Sequence, residues 1–237
     1  MAKAKPEPTV IQTTASGPWT DLGLTLPVFV GYHLGVVFLP VRNAADWMTR
    51  RLSTLADNDP QLYATLTICV GIAYTGTLIA LGRGHALRGA AFAWLLAEAV
   101  VYATAMRYLA SFVVGKVFLG PHVETDGFAG LVLSLGAGLY EELAFRVVLF
   151  GFGFWLLKLL FSLNAVSKAM VGMAWALTTA VIFSLWHYVG VLGDPFEPRS
   201  FVFRTTCGLV FCAIYYFRGF APVVWTHVLY DVWVLVL

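Results

Sequence analysis

Apolar residues along the 237-residue chain fall into long runs broken by short polar stretches, and no run shows the two-residue alternation of a half-buried strand. Runs at 22–41, 62–82, 90–114, 169–191, 201–217 and 222–237 are close to the length a helix needs to cross the ~30 Å bilayer core. A further run, 128–161, is too long for one straight crossing at about 1.5 Å per residue. It predicts either one long tilted helix or two helices broken near 136–138 or 151–153, where glycines cluster. The pattern therefore predicts an all-α, polytopic transmembrane bundle of seven or eight helices.

The polar stretches refine this outline. Residues 1–21 lack a long apolar segment and read as a disordered tail, not a cleaved signal peptide, leaving 22–237 as one transmembrane domain. The segment RNAADWMTRRLSTLADNDP alternates Trp47, Met48, Leu52 and Leu55 with Arg42, Arg50 and Arg51. It fits an interfacial amphipathic helix or a solvated connector. Lys3, Lys5, the three arginines and the pair Arg83 and Arg88 divide evenly among alternate loops, so the positive-inside rule assigns no orientation.

Composition agrees with a membrane class. The chain is 59% hydrophobic and 12% charged, with a net charge of +2; soluble domains carry about twice that charged fraction. No basic cluster suggests a nucleic-acid partner. Cys69, Cys207 and Cys212 all lie in apolar runs and read as packing residues, not as disulfides or metal ligands.

Against this background the ionisable residues inside the runs stand out: Glu98, Arg107, Glu141, Glu142, Arg146, His187, His227 and Asp231, with His33 in the first run. A charge near the bilayer centre costs on the order of 2.5–3.5 kcal/mol on insertion scales, so it pairs, faces a wet cavity or serves a function. On a helix, Glu142 and Arg146 are one turn apart and can pair. Glu141 is rotated ~100° from its neighbour, so it faces elsewhere. Phe183 and His187 share a face, as do His227 and Asp231, and Pro222 suits the first turn of the last helix. Glu98 reads first as a packing residue, with a cavity residue or a partner of Arg107 as alternatives, and His33 as a satisfied interior histidine. Trp175, Trp186, Trp225 and Trp233 read as core or interface anchors.

If these segments converge, the chemistry of peptide hydrolysis is available. A carboxylate in low dielectric can take a proton from water, and Glu141 is the candidate base. His187 would hold and share the water's proton, and His227 would stabilise the oxyanion. Asp231 would orient His227 and favour its charged form. Ser184, three residues before His187, carries no mark of a nucleophile. The same Glu141, His187 and His227 could instead bind zinc, but no His-Glu-x-x-His helix is present, and cofactor-free chemistry ranks first. All three charges in GLYEELAFRVV could also form a purely structural ionic cluster.

Glu141-Glu142-x-x-x-Arg146, Phe183-x-x-x-His187 and His227-x-x-x-Asp231, in this order and each within an apolar run, resemble the CAAX protease and bacteriocin-processing family. That family includes the Ras-converting CAAX endopeptidase. The resemblance covers 128–237 and implies an intramembrane endopeptidase of eight-helix type. It implies Glu141 as general base, His187 in water activation, His227 and Asp231 on the oxyanion side, and Arg146 as partner of Glu142. The eukaryotic enzymes often end the last motif in Asn, whose amide donates; a carboxylate donates only when protonated, so Asp231 is expected to act through His227. A membrane-anchored protein or peptide in the lipid bilayer is the expected substrate. Composition hints at the cytoplasmic membrane of a high-GC bacterium. A non-proteolytic immunity or scaffold protein and a proton-coupled transporter are the rival readings; the transporter predicts a repeat symmetry that the sequence lacks.

Overall fold

The computed structural model describes residues 18–39, 41–81, 89–115, 127–162, 164–190 and 193–237. Within them the chain forms eight helices and no strand: α1 (Pro18–Phe38), α2 (Trp47–Leu55), α3 (Pro60–Leu81), α4 (Gly89–Val113), α5 (Gly127–Leu160), α6 (Ala165–Trp186), α7 (Pro198–Arg218) and α8 (Phe220–Leu235). Six are long and apolar enough to cross a membrane: α1 and α3 to α7. The chain is an all-α integral membrane bundle. The proposed tail lies almost wholly outside the described residues, as do Arg83 and Arg88. Helix α1 starts at Pro18, earlier than hydropathy places it, so Asp21 is helical.

Helix α8 is central, packing on α1, α4, α5 and α7. It is only 16 residues, about 24 Å, and its first half is sealed: Ala221, Val223, Val224 and Thr226 have no exposure. It starts at Phe220, two residues before the predicted Pro222. Gly219 alone separates it from α7 and adopts φ +100°, a conformation that favours glycine. The first N–H of α8, at Phe220, donates to Asp21 Oδ2 of α1 (2.8 Å), so an acidic side chain satisfies an otherwise orphaned donor.

The long fourth run is a single continuous helix, α5. It does not break at either glycine cluster. Instead its middle is wound as a π-helix over Ala137–Glu141 and Leu143–Phe152. Such wide turns place backbone carbonyls off the α-register; the Trp175 indole of α6 donates to two of them, Leu149 O (3.1 Å) and Phe150 O (3.3 Å). The glycines mark close approaches. A Cβ on Gly138 would lie 2.9 Å from Val224 O and 3.1 Å from Val228 N of α8, and one on Gly153 would lie 2.7 Å from the Trp175 ring. Helix α5 thus lies against the backbone of α8 one turn before Glu141.

The α1–α2 connection is ordered by side chains. Asp46 Oδ1 caps α2 by accepting from Thr49 N (2.8 Å), and its Oδ2 accepts from the Tyr32 hydroxyl of α1 (2.6 Å). Of the two sequence readings, α2 is the amphipathic helix: Thr49, Leu52 and Ser53 are buried against the bundle, while Trp47 and Leu55 face outward. Glu98 does not pair with Arg107. It binds Arg218 at the end of α7 (2.5 and 3.0 Å) and accepts from Tyr102, whereas Arg107 stacks on Trp233.

Gly138→Ala is expected to destabilise the protein by about 1–3 kcal/mol, the usual effect of overpacking. Thermal unfolding of the detergent-solubilised protein, read by loss of monodispersity, tests this against Gly76→Ala, where an added Cβ meets nothing within 4 Å.

Candidate active site

Glu142 is the most connected group of the site. It is fully buried; its Oε2 lies 3.0 Å from Arg146 Nε on the same helix, and its Oε1 lies 2.7 Å from His227 Nδ1 of α8. A carboxylate oxygen only accepts, so Nδ1 carries a proton and His227 turns its Nε2 away from Glu142. The sequence assigns the orientation of His227 to Asp231, one turn on. The structure gives it to Glu142, because α5 lies close enough for a direct bond. Asp231 sits on the other side of the ring, its Oδ2 3.5 Å from Nε2.

Arg146 is 1% exposed, and aromatic faces cover its guanidinium. Phe183 lies 4.3 Å away, Phe211 4.9 Å and Phe145 6.0 Å. Desolvated contacts of this kind are worth up to about 2 kcal/mol each. Phe211 also stacks on the His227 ring at 4.7 Å and 24°. The buried ion pair thus stands in an aromatic frame that fixes His227.

Phe183 has a second role. Its carbonyl accepts from His187 Nδ1 (2.9 Å), and its ring meets that imidazole edge-on at 5.0 Å. His187 is not inside α6 but at its C-terminal cap; the loop returns to it through the Asp194 N–H, which donates to His187 O (2.8 Å). A carbonyl is only an acceptor, so Nδ1 is the protonated nitrogen and Nε2 of a neutral ring is left to accept. Ser184, set aside as a nucleophile, donates to Phe201 O (2.8 Å) and is fully buried.

Glu141 occupies the space between the two rings. Its Oε2 lies 4.0 Å from His187 Nε2 and 4.0 Å from His227 Nε2, and it has no hydrogen-bond partner among the described residues. Consecutive residues differ less in direction on a wide π turn than on an α turn. The two glutamates accordingly meet His227 from its two nitrogens instead of facing unrelated neighbours.

The other oxygen of Glu141 has a partner that sequence reasoning missed. Asn43 Nδ2 donates to Oε1 at 2.8 Å, across 98 residues. The amide orientation follows from its neighbours: Asn43 Oδ1 accepts from Ala45 N (2.8 Å), so the NH2 end faces the carboxylate. Asn43 N–H donates in turn to Tyr32 Oη (3.1 Å). His33, read as a satisfied interior histidine, is buried with Nε2 2.7 Å from Tyr140 Oη, but its Nδ1 has no partner among the described residues. An isolated asparagine in a polar connector carries no periodic signal, and none pointed to Asn43.

The fit of a metal can be tested on these distances. Zinc ligands at about 2.0–2.1 Å in a tetrahedron place their donor atoms roughly 3.3 Å apart. Glu141 Oε2 is 4.0 Å from each imidazole nitrogen, and no three described His, Cys, Asp or Glu residues form a group that could hold an ion. As arranged, Glu141, His187 and His227 do not fit a tetrahedral ion.

Residues 124–233 match the family model described as Type II CAAX prenyl endopeptidase Rce1-like. Every residue of the cluster falls within this segment except Asn43, which the α1–α2 connection supplies. No curated protein and no solved structure matches the chain.

Removing Arg146 strands the buried charge of Glu142, a change that typically destabilises by about 3–5 kcal/mol. Arg146→Met should lower the melting temperature sharply, and Glu142→Gln/Arg146→Met should regain part of the loss. Arg146→Lys should fall between Arg146→Met and the unaltered protein, since an ammonium keeps the charge that compensates Glu142 but lacks the planar face that Phe183 and Phe211 cover.

Proposed function

We propose that this chain, whose residues 124–233 match the Type II CAAX prenyl endopeptidase Rce1-like family model, is an intramembrane endopeptidase in which Glu141 activates water against a membrane-tethered peptide. The observation that carries the reading is the division of labour within the Glu141 carboxylate. Asn43 holds Oε1, while Oε2 faces two imidazole nitrogens at 4.0 Å.

A water oxygen at ~2.8 Å from both Oε2 and His187 Nε2 fits across such a gap. It would donate one proton to each, leaving its lone pairs for the scissile carbonyl. Attack forms the new C–O bond and moves a water proton to Glu141; collapse breaks the C–N bond as that proton passes to the leaving amine. His227 enters the cycle as the imidazolium, with Nδ1–H on Glu142 and Nε2–H on the side of Asp231, and keeps both protons throughout. Its Nε2–H stabilises the oxyanion, with Asp231 beside it as counter-charge. Phe183, Glu142 and Arg146 are positioning residues: they set which nitrogen of each ring faces Glu141. No step requires a metal. The substrate is a protein or peptide anchored in the same bilayer, and a prenylated tail of CAAX type is the first candidate. The cytoplasmic membrane of a bacterium is the proposed location.

Proteoliposomes given a quenched-fluorescent peptide with a prenylated CAAX tail test the reading. Glu141→Gln should abolish cleavage while leaving membrane insertion and thermal stability intact; cleavage that survives it defeats Glu141 as the base, whereas absence of cleavage by the unaltered protein makes a scaffold or transporter the better account. Asn43→Ala should lower kcat about 10- to 100-fold, the loss of one hydrogen bond to a charged group, with little change in KM.

A chelator series supplies a further test. Cleavage should persist after prolonged treatment with phenanthroline and EDTA, and the purified protein should contain far less than one equivalent of zinc. Loss of activity that zinc alone restores would replace this mechanism with a metal-dependent one.

A further inference from the structure

Among the described residues, buried polar atoms border an apolar groove between α1 and α3. Between α1 and α3 runs a cleft of about 450 Å³ whose walls include Phe29, Ile72 and Ile79. At one end stand His33 and Thr67, only 1% and 6% exposed. Tyr140 occupies His33 Nε2, but His33 Nδ1 and Thr67 Oγ1 are buried without a hydrogen-bond partner among the described residues. Buried polar groups are nearly always satisfied, and lipid tails satisfy neither of these.

The cleft has the dimensions of an extended chain. From Thr67 to Ile79 along α3 is about 18 Å at 1.5 Å per residue. Thr67 lies about 10 Å inside the start of α3 at Pro60 by the same rise, next to the polar Asp57-Asn58-Asp59 connection. Gly71 and Gly76 form the floor: an added Cβ meets nothing closer than 4.0 Å at Gly71 and nothing within 4 Å at Gly76. These glycines are not needed for helix packing; what they provide is depth.

No Lys, Arg, Asp or Glu lines the cleft, so it offers nothing to a phosphate or carboxylate head. A hydroxyl both donates and accepts, and it therefore suits either tautomer of His33 and either rotor of Thr67. A thioether-linked chain offers only a weak acceptor. We propose that the α1–α3 cleft binds an uncharged single-chain membrane lipid with a hydroxyl head, its head at His33 and Thr67 and its chain over Gly71 and Gly76. The lipid is a free component of the bilayer, distinct from the tethered substrate. Through His33 and Tyr140 it adjoins the residue before Glu141.

Photolabelling of the full-length protein in nanodiscs tests this. The probe is a long-chain fatty alcohol with a mid-chain diazirine, and adducts are mapped by peptide mass spectrometry. Labelling should saturate, concentrate on α1 and α3, and yield to unlabelled alcohol. The matching methyl ether, which cannot donate, should label these helices about fivefold less or weaker still, as should Thr67→Val with the alcohol. Gly76→Leu, which fills the floor, should abolish the focus. Even labelling of all lipid-facing helices, equal labelling by the ether, or indifference to Thr67→Val overturns the proposal. Displacement by a prenylated peptide would assign the cleft to the substrate and overturns it too. No cleavage is read, so failure here leaves the protease reading untouched.

Discussion

The buried carboxylate of Glu142 holds the arrangement together. It is tied to Arg146 along its own helix and to His227 across the interface with α8. One buried anion shared by a guanidinium and an imidazole avoids the penalty of a lone charge in lipid. The same bond fixes the tautomer and the angle of His227. Loss of this link would free α8 to shift against α5 and would leave His227 Nε2 without a set direction. Because Glu142 is committed to this task, Glu141 need not be.

The site is closed by a part of the chain far from its motifs. Asn43 reaches Glu141 only because Asp46 is anchored twice, to Tyr32 of α1 and to the first turn of α2. The cap of the amphipathic helix is thus one end of a brace that ends on the Glu141 carboxylate. Gly138 acts from the opposite side, bringing the α5 and α8 backbones close enough for glutamate and histidine to bond directly.

Hydropathy located the spans to within a few residues because lipid imposes a length and an apolar composition that nothing else in a sequence imitates. It left the fourth run open between one long helix and two, since glycines that look like helix breaks are equally what a close helix contact requires; the structure has the single helix. Spacing within one helix correctly paired Glu142 with Arg146. It could not reach partners on other helices: Glu98 binds Arg218, and Glu142 bonds His227 at the nitrogen opposite Asp231. The convergence of Glu141, His187 and His227 was suggested by the order of three motifs; its completion by Asn43 was not, because a single amide in a loop announces itself only through its coordinates.

The account stands or falls on what occupies the space bounded by Glu141 Oε2 and the two imidazole Nε2 atoms. An experimental density map of the protein in nanodiscs that resolves ordered solvent, with metal content measured on the same sample, addresses this most directly. The account predicts a water oxygen within about 2.6–3.2 Å of both Glu141 Oε2 and His187 Nε2, with no bound metal. A strong peak held by Glu141, His187 and His227 at about 2.0–2.2 Å, with stoichiometric zinc, would contradict it.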